Sequence, residues 1–424
     1  MTGERFGELY IAEPVLSAGC FRCGRVAQVV EQCPFKAWVA GSNPAALTKY
    51  LKRFSCLRPS APLWFAAFCR PFLSERRASR ESRLRTLYSG VLKTHLWCLL
   101  LFLLACAAGL AQAQSYKYFR IGNEKDIRTK PSAGIAMMGG GTDIDEAFRW
   151  LCEKGGGGDF LVLRARGDDD YNPYVNGLCK ANSVATLILP DRAAASDPKV
   201  ADIIRSAEVL FIAGGDQANY IRGWKGTLVD RAMNEDIAQG KPVGGTSAGL
   251  AVLGEFVYGA LGDKPDDKDL ASREVLEDPY FARVTLERDF LKVRLLDNLI
   301  TDSHFVKRDR MGRTLGFLAR LMKDGWSSSP REVAIDERSA VLVDARGKAM
   351  VIGTGKGVYF LRPTRQPELC ENDRPLTFRA VSVYRVPAGG HFDLQSWTGD
   401  GGTAYSLSVE AGAIQSTQAG NHVY

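Results

Sequence analysis

The pentapeptide Gly245-Thr-Ser-Ala-Gly249 sets a serine among small residues, after the apolar run Val243–Thr246 and before a helical pattern over 250–258. A strand, a sharp G-x-S-x-G turn and a helix together form the setting in which a serine Oγ stands exposed on a strained elbow. The amides at such a helix N-terminus can stabilise an oxyanion. The bland alternative is a glycine-rich turn that only lets two elements pack closely.

A serine needs a base before it can attack. The chain holds four histidines, His95, His304, His391 and His422. Only His304 falls in the α/β part of the chain, at the end of the apolar run Leu299-Ile300-Thr301. A lone histidine is often structural, but this one sits between Asp302 and a basic segment. Arg308, Arg310 and Arg313 then open a helical stretch. Cations oppose the dipole at a helix N-terminus, so they read either as a solvated charged turn or as a carboxylate clamp. Phe211-Ile-Ala-Gly-Gly-Asp-Gln217 ends a third strand in glycines, whose amides can approach a reacting carbonyl. Asp216 and Gln217 there are suited to capping the next helix and touching substrate.

These groups must be held at the ends of strands. Apolar runs at 135–138, 160–163, 184–189, 209–213 and 243–246 alternate with helical patterns at 143–154, 173–181, 198–206 and 227–239. Such alternation predicts a mainly parallel sheet covered by helices, with working loops beyond the carboxyl ends of the strands. From about 331 the texture changes to short β-like runs, predicting a β-rich C-terminal extension partly joined to the main sheet. The expected organisation is therefore an α/β body over 114–330 and the extension over 331–424.

The N-terminal part reads differently. Residues 96–110 form an apolar run after Lys93 and His95, followed by Ala111-Gln112-Ala113, the plan of a secretory signal. The expectation is a signal peptide at 91–113 and a secreted or periplasmic protein. The weaker lipoprotein alternative attaches to Cys106 in Leu103-Leu104-Ala105-Cys106. Residues 1–90 precede that signal and include Val26-Ala-Gln-Val-Val-Glu-Gln32 and Gly41-Ser-Asn-Pro44, which read like a translated transfer-RNA gene. They are expected to be upstream text translated from a misplaced start. Cys20-Phe-Arg-Cys23 has no second ligand pair, so no metal site is expected there.

The whole chain carries 55 Lys+Arg against 48 Asp+Glu, a formal charge of +7. Fifteen of those bases and six of the acids precede residue 114, which leaves the body slightly acidic. Nothing in its charge points to nucleic acid. Gly139-Gly-Gly141 matches neither the dinucleotide nor the P-loop pattern, so no nucleotide cofactor is expected.

Taken in order, Gly139-Gly-Gly141, Gly167-Asp-Asp-Asp-Tyr-Asn-Pro173, Gly214-Gly-Asp-Gln217, Gly244-Gly-Thr-Ser-Ala-Gly249, Asp302-Ser-His-Phe305 and Ala334-Ile-Asp-Glu337 resemble the cyanophycinase family of serine peptidases. The likeness spans about 130–355. It implies a three-layer α/β/α fold like that of class I glutamine amidotransferases, and hydrolysis of β-aspartyl-arginine bonds by a Ser–His–acid triad. Ser247 would attack and His304 would be the base, with Gly215 and Ala248 as oxyanion donors. Gln217, Asp302, Arg308, Arg310 and Arg313 would line the substrate side. The triad acid is expected shortly after the elbow helix, with Asp263 the first choice and Asp266 or Asp267 next. Two departures bear on this: Ser303 replaces the family's Gln, and the acidic run 263–269 lengthens the gap between serine and histidine. The expected partners are an aspartyl-linked peptide and, in a homodimer, a second copy of the chain. An α-aspartyl dipeptidase and a non-catalytic binding protein on the same fold are the competing readings. Export would suit a Cys152–Cys179 disulfide and leave Cys370 free.

Overall fold

The computed structural model describes residues 115–264 and 267–424. The expected signal segment, the upstream text and Asp266 lie outside the described residues. Along the chain, β1 (Lys117–Gly122) and β2 (Gly134–Met138) precede α1 (Asp145–Lys154), β3 (Asp159–Arg164), α2 (Tyr171–Leu178) and β4 (Ser183–Ile188). The short α3 (Arg192–Ala195) leads to α4 (Pro198–Ser206), β5 (Val209–Ile212), α5 (Gln217–Trp224), α6 (Leu228–Ala238) and β6 (Val243–Thr246). Next come α7 (Ala248–Ala251), β7 (Phe256–Tyr258), α8 (Ser272–Glu277), β8 (Leu286–Arg288), β9 (Leu299–Asp302), α9 (Met311–Lys323) and β10 (Arg331–Ile335). The remaining strands are β11 (Ser339–Asp344), β12 (Lys348–Gly353), β13 (Val358–Pro363), β14 (Phe378–Val386), β15 (His391–Asp393), β16 (Thr398–Asp400), β17 (Thr403–Glu410) and β18 (Ala413–Ser416).

The first sheet runs β1-β4-β3-β5-β6-β2-β11-β12-β15-β16. Its centre, β4 to β2, is parallel, and both edges are antiparallel. The parallel strands are buried almost throughout and mainly apolar because both faces are covered. Alternation then sorts their side chains. Ala136, Met138, Phe160 and Val162 meet Phe148 and Leu151 of α1 and Val175 of α2. Ile135, Met137, Leu161 and Leu163 meet Ile204 of α4, Trp224 of α5 and Met233 of α6. A fully buried ring such as Phe148 contributes about 2–3 kcal/mol.

The second sheet, β18-β17-β14-β13-β10-β9-β7-β8, was not anticipated. Val257, Leu299, Val333 and Phe360 turn one of its faces into the same core as the first sheet. Its other face takes Leu315, Phe317 and Leu318 of α9. Because β9 and β10 pair in parallel, this sheet runs unbroken across residue 331, while β11, β12, β15 and β16 extend the first sheet. The β-rich segment is thus divided between both sheets.

The helix expected over 250–258 stops at Ala251. Its second half is β7, an aromatic and β-branched run that lies beside β9. The nearby Gly254 allows this approach, since a Cβ there would stand 2.7 Å from the Leu299 carbonyl oxygen. Among the described residues, no helix is long and apolar enough to cross a membrane.

Candidate active site

β6 delivers Ser247 at the carboxyl end of the parallel sheet, with φ 52° and ψ −116°. That region is costly for any side-chain-bearing residue, and such strain persists only where the surroundings enforce it. Here they do so through glycine. A Cβ on Gly245 would lie 2.5 Å from the Gly249 backbone, and one on Gly249 would lie 1.9 Å from the Ile212 carbonyl oxygen. The turn closes only because both positions lack a side chain. The Ser247 amide donates to the Met138 carbonyl at 3.1 Å, which fixes the elbow to β2. Behind it, Thr246 Oγ1 donates to Asp143 at 2.7 Å and Tyr171 donates to the same carboxylate at 2.6 Å.

His304 follows β9 and also has positive φ, 46°. Its amide donates to the Gly139 carbonyl at 2.8 Å, and its ring lies over Gly140, where a Cβ would stand 2.5 Å from Cε1. The glycine loop after β2 therefore makes room for the imidazole. Ser247 Oγ lies 2.8 Å from His304 Nε2, and His304 Nδ1 lies 2.7 Å from Glu337 Oε1. Glu337 is held below the usual carboxylate range, first by its hydrogen bond with His304 and against the effect of burial. An ionised carboxylate only accepts, so Nδ1 carries the proton and Nε2 is left to accept from the serine hydroxyl. Burial, aided by Arg308 and Arg310, outweighs Glu337 and lowers the His304 pKa below its ordinary 6.5. The imidazole is thus neutral near pH 7, as a general base must be.

The carboxylate on His304 is Glu337, not Asp263. Asp263 Oδ1 is held by Arg283 at 2.6 Å, and its other oxygen is 3.4 Å from the Tyr258 hydroxyl. Asp267 caps its own turn by accepting from the Lys264 amide at 2.8 Å. The reason lies in the second sheet. β9 and β10 are parallel, with Asp302 opposite Ala334, so the residues just beyond each strand emerge side by side. The sequence alone assigns Glu337, in Ala334-Ile-Asp-Glu337, no role; its place two to three residues past an apolar strand end, like that of His304, is the signal that marks it.

A cleft of about 630 Å³ opens over Ser247 and His304. Gly215, Gln217, Ala248, Ser303, Arg308 and Arg310 line it, as do Asp263, Asp267 and Asp269. Gly215 (φ 150°) and Ala248, the first residue of α7, bring their backbones to the same side as Ser247. Asp216 caps α5 by accepting from the Ala218 amide at 2.9 Å, and so sets Gln217 at the cleft wall.

Asp302 and Arg313, expected on the substrate side, are buried beneath the cleft instead, at 3% and 1% exposure. Arg313 Nε and Nη2 reach Asp302 at 2.8 and 2.5 Å, and Arg310 Nη1 adds a bond at 3.0 Å. Burial opposes the charge on Asp302, but Arg313 and Arg310 more than offset it and lower its pKa. Charges so far from water are kept only in pairs. This pair anchors the start of α9 to the end of β9, and with it the backbone that carries His304. Of the three arginines, Arg308 is the one that stays substantially exposed, at 44% of its side chain. Among the described residues, no group of three His, Cys, Asp or Glu is placed to hold a metal.

Cys152 and Cys179 form a disulfide that ties the end of α1 to the end of α2, and Cys370 is free and buried.

Fold and site together define the class: an α/β protein with a Ser–His–Glu triad on a nucleophile elbow. Comparison with known proteins shows what the chain is similar to. Residues 169–276, which hold Gly215, Gln217 and Ser247, match the model of Peptidase family S51. Cyanophycinase of Synechococcus elongatus is 25% identical over 236 residues, 52% of this chain and 66% of that protein. Cyanophycinase of Trichormus variabilis is 24% identical over 227 residues, 51% of this chain and 67% of that protein. A crystal structure of a peptidase from an acI-B1 actinobacterium aligns over 62% of this chain and 97% of its own, at 17% identity and a TM-score of 0.41. Over residues 169–276 the chain is thus similar to Peptidase family S51, and over about half of its length to cyanophycinases. Its match spans just under two thirds of the Synechococcus relative's length.

Proposed function

We propose that this chain is an exported serine exopeptidase that hydrolyses β-aspartyl-arginine or similar aspartyl peptide bonds through an acyl-enzyme. The observation that carries the reading is the unbroken relay Ser247 Oγ–His304 Nε2–His304 Nδ1–Glu337 Oε1, at 2.8 and 2.7 Å. Ser247 adds to the scissile carbonyl as His304 takes its proton. The negative charge that forms on the carbonyl oxygen falls to the Gly215 and Ala248 amides. The imidazolium, steadied by Glu337, returns that proton to the leaving amine as the C–N bond breaks. Water then enters by the same proton route and releases the acid. Gln217 and Arg308, at the cleft wall, offer an amide and a cation to a peptide end.

Support for the aspartyl linkage comes from the relatives, which are cyanophycinases, and from the basic side of the cleft. Support for export comes from the signal-like segment 91–113 and from the Cys152–Cys179 bond, of a kind that persists in oxidising compartments. Incubation of the chain from Gln114 onward with β-Asp-Arg and α-Asp-X dipeptides tests the substrate. Release of free arginine from the β-linked peptide is expected. Cleavage of the α-linked set alone would make it an α-aspartyl dipeptidase, and cleavage of neither a binding protein on this fold. Sedimentation of the same material tests the homodimer.

A further inference from the structure

We infer that Asp269 is a specificity-determining residue that occupies the outer edge of Arg310, where an acidic group of the substrate would otherwise dock. This deepens the peptidase reading and rests on the cleft being its substrate site. An arginine fork at the wall of a reaction cleft is a ready seat for a carboxylate. In this chain the seat is taken. Arg310 Nε lies 3.0 Å from Asp269 Oδ2, and its Nη2 lies 2.9 and 2.7 Å from the two Asp269 oxygens. The remaining nitrogen, Nη1, is spent on Asp302 at 3.0 Å and the Ser303 carbonyl at 2.9 Å. Every edge of that guanidinium is therefore filled from within the chain.

The neighbouring cations converge on the same carboxylate. Arg313 Nη1 is 3.6 Å from it and Arg308 Nη1 is 3.9 Å from it. Two buried guanidiniums, Arg310 and Arg313, thus face two carboxylates, Asp302 and Asp269, and their charges cancel. Asp269 keeps 40% of its side chain exposed and lines the cleft with Ser247 and His304. It is not adrift there. Arg283 holds the residues before it, through Asp263 Oδ1 at 2.6 Å and the Lys268 carbonyl at 2.5 Å. A substrate carboxylate entering this corner meets Asp269 in front of Arg310 and is repelled. Of the three arginines in this corner, Arg308 is the one left to receive it, so this corner should accept an acidic group at one point only and bind free dicarboxylates weakly.

Titration of the chain from Gln114 onward with succinate, followed by calorimetry, reads this directly. Wild type should bind succinate weakly, and Asp269→Asn, which keeps the shape and removes the charge, should bind it on the order of tenfold more tightly. Asp269→Ala should do the same, and Arg308→Gln should abolish the weak wild-type binding. Equal affinity for succinate in wild type and folded Asp269→Asn would overturn the proposal. Labelling of Ser247 by a fluorophosphonate is measured in parallel. Failure of that reaction would sink the peptidase reading, while the succinate comparison would still decide what Asp269 does.

Discussion

Glu337 and His304 are 33 positions apart in sequence and 2.7 Å apart in space. The pairing of β9 with β10 accounts for that closeness, and the carboxylate fixes which imidazole nitrogen faces Ser247. Replacing Glu337 by Gln leaves a group of the same size that can donate to Nδ1 and favour the wrong tautomer. A fall in kcat of about 10²- to 10⁴-fold is expected, with the melting temperature nearly unchanged. Full activity in Glu337→Gln would return the role to another carboxylate.

The pH profile follows from the same ring. Protonation of His304 removes the base, and its folded pKa lies below 6.5 because burial outweighs Glu337. The acid limb of kcat/KM should therefore fall below pH 6.5. Loss of the Glu337 hydrogen bond removes the main influence that raises this pKa, so the limb should move lower still in Glu337→Gln. A limb above pH 6.5 in the native enzyme would contradict the burial argument.

Gly249→Ala probes the elbow. The added methyl would meet the Ile212 carbonyl oxygen at 1.9 Å, and backbone cannot yield as a flexible side chain can. A destabilisation of about 3 kcal/mol or more is expected, measured by chemical denaturation, together with loss of serine reactivity. Native stability and native labelling would show that the turn is looser than described.

The strand–Gly-Thr-Ser-Ala-Gly–helix signal and the scarcity of histidine are enough to pair Ser247 with His304, because the first is local and the second leaves one candidate in the α/β body. Helix α4 and strand β6 were equally legible, since a capped helix and a short apolar run declare themselves within a few residues. Glu337 was not, because its adjacency to His304 depends on which strands pair. Asp302 and Arg313 were misplaced for a different reason. Charged residues read as surface, and only the folded chain shows that each is the other's partner under the cleft. From sequence the arginine cluster reads as a solvated turn or a free clamp, because nothing in the sequence says that Asp269 returns to it.

Reduction tests the Cys152–Cys179 bond. It closes a loop with a sequence separation of 27, so the chain-entropy relation gives about 3–4 kcal/mol of stabilisation. Reduced protein, or the Cys152→Ser variant, should unfold at correspondingly lower denaturant, with Ser247 labelling retained in the folded fraction. No change on reduction would mean that the bond is not formed in the purified protein.

Breaking the buried ion pair should cost more. Asp302→Asn removes the more buried of the two carboxylates that Arg313 and Arg310 share and leaves them Asp269 alone, and about 3–5 kcal/mol is expected to be lost. Denaturant unfolding measures it; a loss under 1 kcal/mol would place both guanidiniums nearer to water than they stand here.

The central claim is that Ser247 is a nucleophile activated by His304. Treating the chain with a fluorophosphonate and measuring intact mass and the labelled peptide tests it most directly. One adduct per chain on Ser247, lost in Ser247→Ala and strongly slowed in His304→Ala, is the result this account predicts. An unmodified Ser247, or labelling at an unchanged rate in His304→Ala, would contradict it.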